Sequence, residues 1–341
     1  MSDTSDSHKT IIVLGATGQQ GSGAVLHLLE RTPFRVVGTS RTPSSPASLA
    51  LLYKHRAAVE AGRFELIEAD VGDVLSLKNA FEGAHGVFAV TQYSPPLVAE
   101  VDLRFEEVAG KNIVDAAKIT GVTHLIYSGL PSIRKATNDR YKHIFRFEHK
   151  AVVEQYGLDV LGPGVFTIVH PAQFINNLGY PHYAKKIDGE LVFRAPLSEG
   201  KVQRWVDATY DVGLFVSEIF LLGPTRTGGK TYPIHSEPIS FKQMVPLYTS
   251  LTGIPARVSP STLAEWTTTV VASQGPGIAR DITEMIQWFD EAPFEEDKGA
   301  WADYGTMKRE EYELRMNELG GKVRASTFVE WLGRSEFKPA E

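Results

Sequence analysis

The sequence contains no cysteine. Disulfides, thiolate nucleophiles and cysteine-ligated metals are therefore excluded, and a secreted domain stapled by disulfides is not expected. Basic excess is also missing: 35 lysines and arginines stand against 41 acidic residues, a net charge of −6. That balance argues against a broad nucleic-acid-binding surface. No run approaches the roughly 20 apolar residues that a membrane-spanning helix needs. Residues 1–9 lack the apolar core of a signal peptide and are expected to form a disordered tail. The ten histidines show no His-x-x-x-His or His-Glu spacing, so no metal site is expected. Gly-x-Ser-x-Gly is absent too, which removes the usual elbow of a serine hydrolase. The absences together point to a soluble, cytoplasmic protein that takes a small molecule, with neither a membrane nor a nucleic acid as direct partner.

What is present begins at Thr10-Ile11-Ile12-Val13-Leu14, a run that reads as a buried strand. It enters Gly15-Ala16-Thr17-Gly18-Gln19-Gln20-Gly21, and residues 22–30 continue as a helix. Strand, glycine loop and helix in this order form a dinucleotide fingerprint. One glycine makes the tight turn, another lets backbone approach a pyrophosphate, and the third lets helix pack on strand. The helix N-terminus then offers free N–H groups and the positive end of its dipole. Gly15, Thr17, Gly18, Gln19, Gln20 and Gly21 are accordingly the expected phosphate contacts.

A second strand over residues 34–39 ends at Ser40 and Arg41. An NAD site usually carries a carboxylate here for the ribose 2′-hydroxyl. Arg41 instead suits a 2′-phosphate, which it can pair bidentately, so NADP(H) is the expected cofactor; the alternative is an arginine that is merely solvated. Residues 42–48 make a loop that could wrap the adenosine, and a helix is expected over 49–60. A third strand spans 64–69. Asp70 after it is a candidate for the adenine amino group, or equally for capping a helix over 74–81. The fourth strand, 86–90, brings Thr91 and Gln92 to the cofactor crevice. A turn at 93–96, a long helix over 97–120, a fifth strand over 124–128, a helix over 141–156 and a sixth strand over 167–170 follow.

Short apolar strands alternating with helices mean an α/β, Rossmann-type, doubly wound parallel sheet. The expected organisation is a tail at 1–9, an NADP-binding domain at 10–171, and a smaller, mostly helical substrate lobe at 172–341. That lobe is interleaved with late sheet elements near 206–212 and 230–234. Phe166, Phe174, Tyr180, Tyr183, Phe193, Trp205, Trp266 and Trp288 could wall an apolar pocket or simply fill a core. Residues 295–297 read as a solvated acidic turn, 304–316 as an exposed charged helix, and 327–332 as a last helix with inward aromatics.

Together the Gly15/Gly18/Gly21 loop, Arg41, Tyr127-Ser128-Gly129, the Phe147-Glu-His-Lys150-Ala-Val-Val-Glu154 helix and the His170–Asn177 segment resemble the NmrA-like branch of atypical short-chain dehydrogenases/reductases. Isoflavone-reductase-like enzymes belong to that branch. The resemblance implies a Rossmann fold, NADP(H), Lys150 in the role of the superfamily's Tyr-x-x-x-Lys lysine, and His170 at the cofactor. The tyrosine position, however, is Arg146, and an arginine cannot donate a proton near neutral pH. The usual hydroxyl after the fifth strand is also replaced, since Ser128 is followed by Gly129 and Leu130.

Two readings follow. In one, a reductase of a small apolar carbonyl, enone or imine uses Lys150 for the proton, assisted by Tyr141, His143, His149 or His170. In the other, a regulator binds NADP(H) without turnover, acts through a protein partner, and could reside in the nucleus as well as the cytoplasm.

Overall fold

A computed structural model of the chain describes residues 9–91, 104–198, 200–236, 238–292 and 303–340. The first half alternates strand and helix as expected. It comprises β1 (Thr10–Val13), α1 (Gln19–Arg31), β2 (Arg35–Ser40), α2 (Pro46–Lys54), α3 (Arg56–Glu60), β3 (Phe64–Glu68), α4 (Val74–Phe81) and β4 (Gly86–Val90). Then come α5 (Phe105–Thr120), β5 (His124–Ser128), α6 (Ile133–Ala136), α7 (Phe145–Leu161) and β6 (Phe166–Pro171). The second half holds β7 (Gln173–Phe174), β8 (Ala184–Ile187), β9 (Glu190–Phe193), β10 (Trp205–Val206), α8 (Asp211–Leu222), α9 (Pro224–Thr227) and β11 (Thr231–Ile234). It ends with α10 (Phe241–Thr252), β12 (Ala256–Val258), α11 (Leu263–Gln274), α12 (Ala279–Glu291), α13 (Arg309–Glu318) and α14 (Phe328–Arg334).

The main sheet runs β11-β6-β5-β4-β1-β2-β3, every pair parallel. The chain steps one way from β1 to β3 and the other way from β4 onward, so the crevice lies over the carboxyl ends of β1 and β4. Helices cover both faces, which is why the central strands are nearly continuous apolar runs. One face buries Ile11, Val13, Phe88 and Ile126 against α1 and α8; the other buries Ile12, Leu14, Val87 and Leu125 against α4 and α5. The fold class is the expected Rossmann-type α/β arrangement.

The core around Trp205, Trp266, Phe193, Tyr183 and Phe241, in the expected C-terminal lobe, also takes in Ile133, Tyr141, Ile144 and Phe147 and so is not confined to residues 172–341. Most of the aromatics proposed as pocket walls therefore fill cores: Phe166, Phe193, Trp205 and Trp266 are buried, whereas Tyr180 is exposed. Besides helices the lobe carries a small sheet, β12-β9-β8. Three of its helices open with reciprocal capping boxes, Ser240–Gln243, Thr262–Glu265 and Thr327–Glu330, a local signal that fixes their starts.

Several expected boundaries move. The helix over 49–60 splits at His55, whose backbone leaves helical geometry while its ring packs edge-on against Phe64. The 141–156 helix becomes α7, because Glu284 of α12 takes the N–H groups of Lys142 and His143 at 2.8 Å each and keeps that segment out of the helix. Tyr304 is buried, with its hydroxyl donating to Pro171 O at 2.9 Å, so the exposed charged helix is α13 alone. Its Glu311–Arg315 pair forms at 3.4 Å. The turn at 93–96, the first part of the 97–120 helix and the acidic turn at 295–297 lie outside the described residues. Among the described residues no helix is long and apolar enough to cross a membrane.

Candidate cofactor and active site

The glycine loop is built by close approach. Gly15 adopts φ +62°, a left-handed conformation, and its carbonyl accepts the Gly18 N–H at 2.9 Å. A Cβ on Gly21 would lie 2.1 Å from that same carbonyl, so α1 could not begin here with any other residue at 21. The helix starts at Gln19, three residues earlier than its pattern suggested, with Gly18 as N-cap. No side chain caps it and no acidic residue lies in its first turn. Its N-terminal amides and dipole are thus left for an anion, and the cradle fits a dinucleotide pyrophosphate. Thr17, Gly18 and Gln19 are exposed. Gln20 is turned aside: its Oε1 accepts the Ser128 hydroxyl at 2.6 Å.

At the end of β2 the Ser48 hydroxyl sits 3.1 Å from Ser40 Oγ and 3.0 Å from Thr42 O, closing the 42–48 turn on itself. Arg41 projects from this braced turn into solvent. Asp70 is exposed, and its Oδ1 accepts Gly72 N–H at 2.8 Å. It does not cap α4; Asp73 does, accepting Leu75 N–H at 2.9 Å. Gln92 lies outside the described residues.

Lys150 stands on α7 beneath the ends of β4 and β5, only 8 % exposed. Its ammonium meets Thr91 O at 3.1 Å, Thr91 Oγ1 at 2.9 Å, Ser128 O at 3.2 Å and Glu106 Oε1 at 2.9 Å. Thr91 Oγ1 also lies 2.8 Å from Glu106 Oε1 and 3.0 Å from the Tyr127 hydroxyl. One hydroxyl donates once and accepts twice, so Thr91 donates to Glu106 and accepts from Lys150 and Tyr127. Burial, reinforced by Glu106, pushes the Tyr127 phenol well above its usual range, and it stays neutral. Glu106 escaped the sequence reading because a single acid on an amphipathic helix forms no motif.

Arg146, at the position the resemblance gives to a tyrosine, turns to α12. Its Nε donates to Asp281 Oδ1 at 2.6 Å, and its backbone N–H donates to Asp281 Oδ2 at 3.1 Å. A fully buried carboxylate of α12 thus caps the helix that carries Lys150. Of the proposed assistants, His143 and His170 are paired with carboxylates. His143 Nδ1 lies 2.5 Å from Glu284, and burial pushes the Tyr141 phenol up to about 12. His149 is buried beside Phe145. His170 Nε2 lies 2.7 Å from Glu154 Oε1, and its ring borders a cavity of about 10 Å3 shared with Gln173, Arg204, His235 and Tyr304. That is room for roughly one water. No cluster of three or more metal-ligating side chains occurs among the described residues.

A doubly wound sheet whose first turn is a glycine cradle, with a buried lysine at the β4–β5 ends, defines a Rossmann-type nucleotide-binding architecture. Within that class the chain belongs to the NmrA-like family, whose model matches residues 7–323. It is 32% identical over 261 residues to the NmrA-like family domain-containing oxidoreductase malD of Malbranchea aurantiaca, covering 73% of this chain and 74% of that protein. NmrA, a negative transcriptional regulator solved in complex with NAD, shares the fold with a TM-score of 0.73 and 21% identity, over 97% of this chain and 96% of that one. The Citrobacter sp. triphenylmethane reductase complexed with NADP(H) does so with a TM-score of 0.65 and 16% identity, over 96% and 99%.

Proposed function

We propose that the protein is an NADP(H)-dependent oxidoreductase that reduces a small apolar carbonyl, enone or imine. The observation that carries this reading is the meeting, over one crevice, of an uncapped α1 N-terminus and a buried lysine. In it the Gly15–Gly21 backbone, with Thr17 and Gln19, takes the pyrophosphate, Gln20 braces the loop against Ser128, and Arg41 takes the 2′-phosphate. Asp70 faces the adenine amino group, while Thr91, Lys150 and His170 surround the nicotinamide end. The cofactor supplies the hydride; Lys150 orients the ribose and holds a proton at Nζ. The name of the Malbranchea aurantiaca relative, an oxidoreductase, supports the same class.

A second reading, an NADP(H)-sensing regulator with a protein partner, draws on one specific feature. The Lys150 ammonium faces four protein oxygens, and Arg146 is pinned by Asp281 where a phenol would stand. The two readings separate on turnover. NADPH consumption is followed against a panel of apolar carbonyls, enones and imines. The enzyme reading expects consumption with at least one class, abolished in Lys150→Ala while NADPH still binds. Tight binding with no consumption across the panel supports the regulator.

A further inference from the structure

We propose that Glu106 is the counter-charge of the nicotinamide site and sets how strongly the site distinguishes oxidised from reduced cofactor. The inference rests on the placement of the nicotinamide end near Lys150 given above. Glu106 is only 2 % exposed, yet one of its oxygens serves both Lys150 and Thr91, at 2.9 and 2.8 Å. Its other oxygen, Oε2, is buried without a hydrogen-bond partner among the described residues. Burying a carboxylate so deeply is costly, and its pairing with the Lys150 ammonium offsets part of that cost. Its effect is electrostatic.

The charge balance at the ammonium is simple. Lys150 is positive, Glu106 is negative, and Tyr127 is neutral, so Glu106 compensates the lysine's charge. The Glu154 carboxylate also faces Tyr127, but it pairs with His170 and is the same in every variant considered. An oxidised nicotinamide ring carries a positive charge and a reduced ring carries none. With Glu106 present, the oxidised ring meets a compensated ammonium. Without that carboxylate it would meet an uncompensated ammonium, while the reduced ring would be little affected. At separations of several ångströms in a protein-like dielectric, one unit charge changes affinity by about tenfold or more.

The test is calorimetric titration of NADP+ and NADPH into the wild type, Glu106→Gln, Lys150→Met and the double variant. Glutamine keeps the shape and one acceptor for Thr91. Glu106→Gln should weaken NADP+ relative to NADPH by about tenfold, Lys150→Met should shift the ratio the other way, and the double variant should return it towards the wild-type value. If Glu106→Gln fails to fold, Lys150→Met against the double variant still reads the carboxylate's charge. The double variant buries no orphan charge. Equal loss of affinity for both cofactor forms, with their ratio unchanged, would reduce Glu106 to a structural residue and overturn the proposal. If the wild type binds neither form, the cofactor reading itself fails and this inference falls with it.

Discussion

The carboxylate of Glu154 occupies the space that any side chain at position 129 would need. A Cβ built on Gly129 would lie 1.8 Å from Glu154 Oε1, the oxygen that also meets His170 Nε2 at 2.7 Å. A hydroxyl-bearing side chain at this position, which the superfamily resemblance leads one to expect after β5, would have to push the Glu154 carboxylate away from His170. A pair of the partly buried Glu154, one helical turn along α7 from Lys150, and the buried His170 stands in its place.

Restoring that hydroxyl should therefore fail. Gly129→Ser would displace the Glu154 carboxylate and break its pairing with His170, destabilising the fold by about 1 kcal/mol, the scale of one lost hydrogen bond. Urea unfolding of the variant reads this directly, and wild-type stability would contradict the packing argument.

Arg146→Tyr likewise should not rebuild a Tyr-x-x-x-Lys site. It would leave the fully buried Asp281 carboxylate without its guanidinium, at a cost of about 3 kcal/mol. Adding Asp281→Ala removes the stranded charge and should recover part of the loss in denaturant midpoint. A single variant as stable as the wild type would show that Asp281 does not depend on Arg146.

Arg41 projects from a turn closed by Ser40, Thr42 and Ser48, with no carboxylate at the end of β2 to repel a 2′-phosphate. NADP(H) is expected to bind more tightly than NAD(H), and Arg41→Ala should shrink that preference by about tenfold, the scale of one charge-assisted pair. Equal wild-type affinities for the two dinucleotides, measured by calorimetry, would rule out the 2′-phosphate role.

Three buried histidines set the acid response. Burial lowers His27 and His182 to about 4 and His124 to about 3, with Arg31 adding to the effect at His27. Unfolded, each titrates near 6.5. Between these values the unfolded chain binds more protons than the native one, so stability rises with pH across that window and levels off above about 7. The melting temperature should fall from about pH 7 to about pH 5, and His182→Phe should flatten part of the fall. A pH-independent melting temperature across that window would contradict the assignment.

Much of this architecture is legible in the sequence. β4, β5 and α4 coincide with their expected ranges, because short apolar runs bounded by glycine and polar residues can hardly be placed otherwise in a parallel sheet buried on both faces. The glycine cradle is equally local. What escaped is long-range. The start of α7 is set by Asp281 and Glu284, carboxylates that follow it in sequence by more than a hundred residues. Glu106 becomes meaningful only when α5, β4 and α7 are folded together around Thr91. Asp70 and Asp73 are both plausible caps by type, and only the turn geometry assigns the role to Asp73.

The central claim is that one crevice, from Gly15–Gly21 to Lys150, holds NADP(H). A crystal structure of the protein with NADPH tests it most directly. The account predicts the pyrophosphate against the α1 N-terminus, the 2′-phosphate at Arg41, and the nicotinamide over Thr91 and Lys150. A dinucleotide bound elsewhere, or a nicotinamide turned away from the β4–β5 ends, would contradict it.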